Sequence, residues 1–280
     1  MVYNDTVGTH SLMRSVFPRH PGERGTSAPA LFAVGRPSRK VSVQVAKHSG
    51  ATGAFKNAVL SRLRSSELSA LRRFLEPVKL LVKAAIYELG QPTRHCYFPE
   101  VGMISVVSHM ADGRCVEVGM VGREGMTGGT LAPEKLSPAF GYSVQIEGRG
   151  HRLSAVRLRE LATPTSQLRS LIVRYENSFL SQTMHTAGCN GLHSVQQRCC
   201  RWLLMSRDRA ASDEFKLTHD YLALMMGVRR ASVSDVLSPL QKAGMVQSQR
   251  GLMKILDPKR LAATACECYE RTKAGEGQLH

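Results

Sequence analysis

The feature that most constrains this chain is a double change of hydrophobic period. In FKNAVLSRLRSSELSALRRFL, residues 55–75, apolar residues fall at helical spacing. From Val78 they come instead in short strand-like runs: VKLLV, IYELG, HCYFPEVG, MISVVSHM, CVEVGMV and YSVQIEG. Gly90-Gln91-Pro92, Ala111-Asp112-Gly113 and Gly148-Arg149-Gly150 punctuate these runs as turn signals. Helical spacing returns from about Ser154 to Ala187. Many short strands between helical flanks predict an α+β chain built on an antiparallel barrel or sandwich.

In the returning helix, Leu168, Ile172, Tyr175 and Phe179 recur at spacings of four, three and four, which places them on one stripe. Such a stripe covers the barrel or pairs with a copy of itself. Its continuation past the barrel favours the second outcome, so these residues are expected to form the seam of a homodimer.

The stretch LTHDYLALMMGVRRASVSDVLSPLQKAGMVQSQRGLMKILD, residues 217–257, carries the clearest local design. Thr218 is placed to cap a helix and Asp220 suits its first turn. Gly227 supplies the left-handed conformation that a tight turn needs, and Val228 plugs the angle. A second helix is predicted over residues 229–243, with Val233, Val236, Leu237 and Leu240 inward. Arg230, Ala231, Ser234, Asp235 and Ser238 then share the outer face. Arginines and hydroxyls at the start of an outward helix suit reading of a DNA major groove, with phosphate anchored at the helix N-terminus. MVQSQ and LMKIL flank Arg250-Gly251 and predict a two-stranded wing carrying Arg250 and Lys254 towards phosphate. Pro239 removes one backbone bond and is expected to bend the helix just past this face, the alternative being an early helix end.

Charge agrees with a polyanionic partner. The net charge is +16, and basic residues exceed acidic ones in each of the segments 1–55, 56–187 and 188–280. That favours double-stranded DNA over a membrane surface, since no long basic amphipathic helix with an aromatic edge is present. No apolar run approaches the roughly 20 residues needed to span a bilayer, and no secretory signal opens the chain, so a cytoplasmic protein is expected. Seven scattered cysteines fit a reducing compartment and no disulfide framework. Cys266 and Cys268 are two apart, and Cys199 and Cys200 adjacent. No spacing matches a four-cysteine cluster and no H-x-x-x-H pair occurs, so neither metal nor cofactor is expected. The absence of a P-loop, a dinucleotide fingerprint and a G-x-S-x-G elbow points away from an enzyme.

Together, YFPEVGMISVV, MADGRCVEVGMVGREGMTGG, LTHDYLALMMGVRRASVSDVL, QRGLMKILD and ACECY resemble the Crp/Fnr family of bacterial transcription regulators. The resemblance covers roughly residues 56–273 and is nearest a subgroup with a degenerate cyclic-nucleotide-binding domain. It implies an antiparallel β-roll over 56–165, a dimerisation helix over 166–190 and a winged helix-turn-helix over 191–273, while residues 1–55, rich in Gly, Pro, Ser, Arg and His with little periodicity apart from VSVQVA, read as a disordered extension. For the extension, a start-codon artefact and a transit peptide remain as alternatives. The resemblance further implies base-edge contacts from Arg230, Ala231 and Asp235, and phosphate contacts near His219, Arg229 and Ser232. Ala231 and Asp235 depart from the residues of the best-known members, so the half-site they prefer does not carry over. RNA polymerase is a further partner compatible with such a regulator.

For the β-roll, the family's phosphate cradle falls on GREGMTGGTLAPEKLSPAFGYS. Met126 stands where the cradle's glutamate belongs, and Pro138 or Ala139 near the place of its arginine. An anionic phosphate would lack its charge partner, which argues against cyclic AMP. Glu124, Gly125, Met126, Thr127 and Gly128 remain a candidate loop for some other effector, through backbone N–H groups. The competing reading is an effector-binding regulatory module without sequence-specific DNA reading, which would need the barrel and not the wing.

Overall fold

A computed structural model of the chain describes residues 43–45, 54–87, 90–128 and 140–277. All of them belong to one compact unit, Val34–His280. Most of the expected extension lies outside the described residues. Within it, Gln44–Val45 of the VSVQVA run form an edge strand, β1, and Phe55 is buried, so the segment is not disordered throughout.

Two short helices, α1 (Ala58–Ser61) and α2 (Ser65–Arg72), precede the sheet. Asn57 starts α1 because its side-chain oxygen accepts from the Val59 and Leu60 amides, while its Nδ2 donates to the Pro99 and Gly125 carbonyls. The sheet comprises β2 (Glu76–Leu80), β3 (Ala85–Tyr87), β4 (His95–His109), β5 (Cys115–Val121) and β6 (Gly141–Ser154). Its order is β1-β2-β6-β4-β5, with β3 also paired to β6 and every pairing antiparallel.

Two sequence runs, HCYFPEVG and MISVVSHM, fuse into the single long β4. Gly148-Arg149-Gly150 is correspondingly no turn; it lies inside β6. The register of β4 on β6 slips around Pro99 and Val101, where proline cannot donate to the ladder. A Cβ on Gly148 would collide with the Val101 carbonyl, and one on Gly150 with that of Phe98. These glycines let a bulged strand approach its neighbour.

Helix α3 (Ala155–Leu161) ends before Pro164, and α4 (Gln167–Leu192) starts afresh behind the Ser166 cap. Leu168, Leu171, Ile172 and Tyr175 of α4 join Phe98, Ile104, Val121, Met126 and Leu153 in one core. Burying each such side chain contributes about 1.5–3 kcal/mol. The stripe expected to pair with a second copy is therefore spent inside the chain: Leu168, Ile172 and Tyr175 are buried and Phe179 packs against the same core. The apolar residues that α4 leaves exposed are Val173, Leu180, Met184 and Leu192.

The chain ends in α5 (Val195–Ala210), β7 (Glu214–Lys216), α6 (His219–Met226), α7 (Arg230–Lys242), β8 (Val246–Gln249), β9 (Leu252–Ile255), α8 (Pro258–Thr264) and α9 (Cys268–Gly277). Ser194 and Gln197 form a reciprocal capping box that starts α5. No helix among the described residues is long and apolar enough to cross a membrane.

Candidate functional site

The helix pair α6 and α7 follows the local logic of its sequence. Thr218 caps α6 by accepting from the Tyr221 amide at 3.2 Å. Gly227, with φ of 64°, ends it in the left-handed conformation, and the Val228 amide closes onto the Ala223 carbonyl at 3.0 Å. Helix α7 buries Val233, Leu237 and Leu240, with Val236 half-buried. It runs through Pro239 to Lys242, so the early end weighed for QKAG does not occur. Proline is tolerated here on an exposed position near the last turn.

The opposite face of α7 is open. Arg229, Arg230, Ala231, Asp235 and Ser238 are exposed and Ser232 is half-buried. Arg229 stands at the N-cap without a side-chain cap, which leaves the first amides of α7 directed outward. Arg230 Nε lies 3.3 Å from Asp220 Oδ1, and both side chains are mostly exposed. Such a pair contributes little and yields readily to a stronger anion.

The wing is a hairpin with Arg250 and Gly251 at its tip, both at positive φ (50° and 77°), and Gln249 faces Leu252 across it. The predicted two strands gain a third, since β7 pairs with β9 in the order β7-β9-β8. Arg250 and Lys254 are exposed, and Lys254 faces Glu214 and Gln247 across the ladder.

Two predicted DNA contacts have internal duties. His219 lies with Nδ1 3.2 Å from Ser234 Oγ and Nε2 3.1 Å from Ser248 Oγ, so it bridges α7 to the wing. Gln241 Oε1 reinforces this by accepting from the Ser248 amide at 2.9 Å. His219 and Ser234 are positioning residues in this arrangement, and sequence reasoning missed both Ser248 and Gln241.

The candidate effector loop is built differently from expectation. Met126 is buried in the core, not a cradle residue. Thr127 donates its amide to the Tyr97 carbonyl at 2.9 Å, and its Oγ1 lies 2.9 Å from the Tyr87 hydroxyl. Gly125 donates to the Gly122 carbonyl at 3.2 Å, and a Cβ on it would fall within the Tyr175 ring. A Cβ on Gly128 would collide with the Tyr87 hydroxyl. The described loop thus spends these groups inside the fold; Pro138 and Ala139 lie outside the described residues.

Glu124 instead faces α5. Its Oε1 accepts from the Gly122 amide at 2.9 Å and from Arg209 Nη2 at 2.9 Å, and that Nη2 also reaches Glu276 Oε1 at 2.6 Å. Arg209 is almost fully buried. Burial disfavours its charge, and Glu124 and Glu276 more than offset that. A second buried contact joins the same parts. Glu117 of β5 accepts from Trp202 Nε1 at 2.8 Å and from Ser105 Oγ. Burial pushes its carboxyl up to about 7 against those hydrogen bonds and the fields of Arg201 and Arg209. Gly227, which ends α6, lies beside the Val116 side chain of β5, so the helix pair is docked on the roll.

Sequence reasoning also dismissed the thiols, all of which are buried. Cys189, His193, Cys266 and Cys268 nevertheless converge, with one ligand atom from each lying within 4.8 Å of the others. The signal available in the sequence was C-x-x-x-H on α4, a spacing of four that shares one helix face, together with C-x-C.

Residues 197–264 match the family model described as the Crp-like helix-turn-helix domain. The fold is similar to that of solved regulators. A CRP-family transcriptional regulator from Thermus thermophilus is 21% identical, with a TM-score of 0.56, over 68% of this chain and 98% of that one. A CRP/FNR-family regulator from the same organism is 19% identical, with a TM-score of 0.55, over 70% and 98%. FixK2 from Bradyrhizobium japonicum is 16% identical, with a TM-score of 0.55, over 69% and 98%. No curated protein sequence matches the chain.

Proposed function

From the premise that this chain carries a Crp-like helix-turn-helix domain on the fold of Crp/Fnr regulators, we propose that it is a homodimeric, cytoplasmic regulator of transcription that binds a palindromic DNA site. The chain is a DNA-binding regulator and not an enzyme. The observation that carries the finer reading is the open face of α7. Arg229, Arg230, Ala231 and Asp235 are exposed at the start of a helix presented by a rigid pair, with Arg250 and Lys254 on a wing beside it. A guanidinium at Arg230 suits guanine O6 and N7, Asp235 suits a cytosine amino group, and Ala231 suits a thymine methyl. Arg229, Ser232 and the wing residues suit phosphate. RNA polymerase enters as the partner whose access to a promoter such a protein alters.

The dimer seam belongs to a different stripe of α4 from Leu168, Ile172, Tyr175 and Phe179. Val173, Asn177, Leu180, Met184 and Gly191 are exposed and recur at alternating spacings of four, three, four and seven, a heptad pattern. Leu180→Glu with Met184→Glu is expected to give monomers by light scattering, while Thr183→Ala, off this stripe, is not; dimers in the double variant remove the seam. For the function itself, sequencing of genomic fragments retained by the purified protein should yield a two-fold symmetric motif with half-sites about one helical turn apart. Retention without any shared motif would favour the competing effector-binding module.

A further inference from the structure

Four metal-binding side chains meet away from both the α7 face and the candidate effector loop. Cys189 and His193 lie one turn apart at the end of α4, and Cys266 and Cys268 bracket Glu267 where α8 gives way to α9. Cys189 Sγ is 3.5 Å from Cys266 Sγ, and Cys268 Sγ is 3.7 Å from His193 Nδ1. A tetrahedral zinc ion with bonds of about 2.3 Å to sulfur and about 2.0–2.1 Å to nitrogen sets its ligand atoms roughly 3.5–3.8 Å apart. Those two separations already have these dimensions, and all four ligand atoms lie within 4.8 Å of one another. The three thiols form a buried group of their own, separate from the aliphatic core.

The surroundings carry what such a site needs. His193 Nε2 lies 3.3 Å from Glu267 Oε2, so a carboxylate orients the ring and leaves Nδ1 for the ion. Three thiolates and an imidazole on a divalent ion leave a net negative charge. The buried Arg201 guanidinium, hydrogen-bonded to the uncharged Thr186 and Met205, acts on Cys189 and Cys268. Buried thiols also occur as small apolar fillers, but filling does not require a histidine nitrogen turned onto sulfur with a carboxylate behind it.

We infer that Cys189, His193, Cys266 and Cys268, with Glu267 behind His193, bind one zinc-class divalent ion that clamps the end of α4 to the α8–α9 junction. Sulfur-rich, four-coordinate and closed, the site has a structural and not a catalytic form. It ties the helix leading into the Crp-like domain to the segment leaving it, and does so whether or not that domain reads DNA as proposed above.

The test uses the full chain, purified with its thiols reduced and loaded separately with zinc and with cobalt(II). The expected results are one zinc per chain retained through gel filtration, and for cobalt the thiolate charge-transfer absorption and intense visible bands of tetrahedral coordination. Cys266→Ser should abolish stoichiometric retention. Because that variant risks misfolding, Glu267→Ala provides the second arm: its carboxylate is half-exposed, and its loss should weaken metal affinity roughly 10–100-fold while circular dichroism stays unchanged. A folded, reduced chain that takes up neither metal overturns the site, as do a cobalt spectrum without thiolate absorption and isolation of the chain with a Cys189–Cys266 disulfide under these conditions. Unchanged affinity in Glu267→Ala overturns the assignment of His193 as a ligand held by Glu267.

Discussion

Two glycine-centred segments, the loop around Gly125 and the turn at Gly227, end in opposite ways. At Gly125 the missing side chain lets Tyr175 press onto the backbone, and Glu124, Met126 and Thr127 all find partners within the chain. At Gly227 the missing side chain lets α6 turn sharply into α7, and the residues that follow are left facing solvent. One segment is a joint and the other an interface. A polar residue is free to bind only where its hydrogen-bonding capacity has not already been used, and that separates Glu124, engaged by Arg209, from Asp235, exposed on α7.

The joint gives the largest expected effects. Arg209→Met would leave Glu124 and Glu276 facing each other without their shared cation. Breaking a buried ion pair from one side costs about 3–5 kcal/mol. Urea unfolding should register a loss of that size, and Arg209→Met with Glu124→Gln and Glu276→Gln should recover much of it. A cost below about 1 kcal/mol, the usual value of an exposed pair, would mean that Arg209 is not the link between the loop and α5.

Glu117 gives the next effect, through pH. Its folded carboxyl is raised to about 7 by burial, while an unfolded glutamate titrates near 4.5. The raised value means that the folded chain holds a proton which the unfolded chain has released. The contribution of Glu117 to stability is therefore fully present below about pH 4.5 and is lost as pH rises to about 7, on the order of 3 kcal/mol across that window. Glu117→Gln keeps an acceptor for Trp202 and removes the proton. The difference in unfolding free energy between the two proteins should change across that window and level off above it; parallel curves would remove Glu117 from the account.

The same contrast explains what the sequence could show. Thr218, Gly227 and Arg250-Gly251 act through neighbours one to four residues away, so spacing alone exposed them. The inward face of α7 followed from its 3.6-residue period. The α4 stripe was visible as a period, but period cannot say whether the covering surface is the chain's own roll or a second copy. The ties from His219 to Ser234 and Ser248, from Arg209 to Glu124, and from Cys189 to Cys266 join residues that are 15 to 85 positions apart or belong to different elements, and no local pattern announces them. Gly148-Arg149-Gly150 failed for a related reason: glycine marks close approach as well as turning, and only the partner strand decides which.

At the interface the effects are smaller and specific to DNA. Arg230→Ala should cost roughly 1–3 kcal/mol on the selected site and relax preference at one base pair, with little change in binding to random DNA. Its pairing with Asp220 in the free chain is exposed and subtracts little from that. Equal losses on specific and random DNA, measured by competition, would make Arg230 a phosphate clamp. Base reading would then pass to Asp235, since the Ser234 hydroxyl is already engaged with His219.

The smallest effect belongs to Lys254 on the wing. It is exposed on β9 between Glu214 and Gln247, on a strand held by partners on both sides, so its backbone is fixed and only the ammonium group moves. A lysine in that setting offers a point charge to phosphate and no planar fork to a base edge. Lys254→Ala should weaken all sequences alike and lower the slope of log affinity against log salt by about one, because one fewer phosphate counterion is released. Glu214 opposite it works in the other direction, so Glu214→Gln should strengthen binding slightly and leave sequence preference unchanged. A base-specific loss in Lys254→Ala would place the wing in a groove and extend base reading beyond α7.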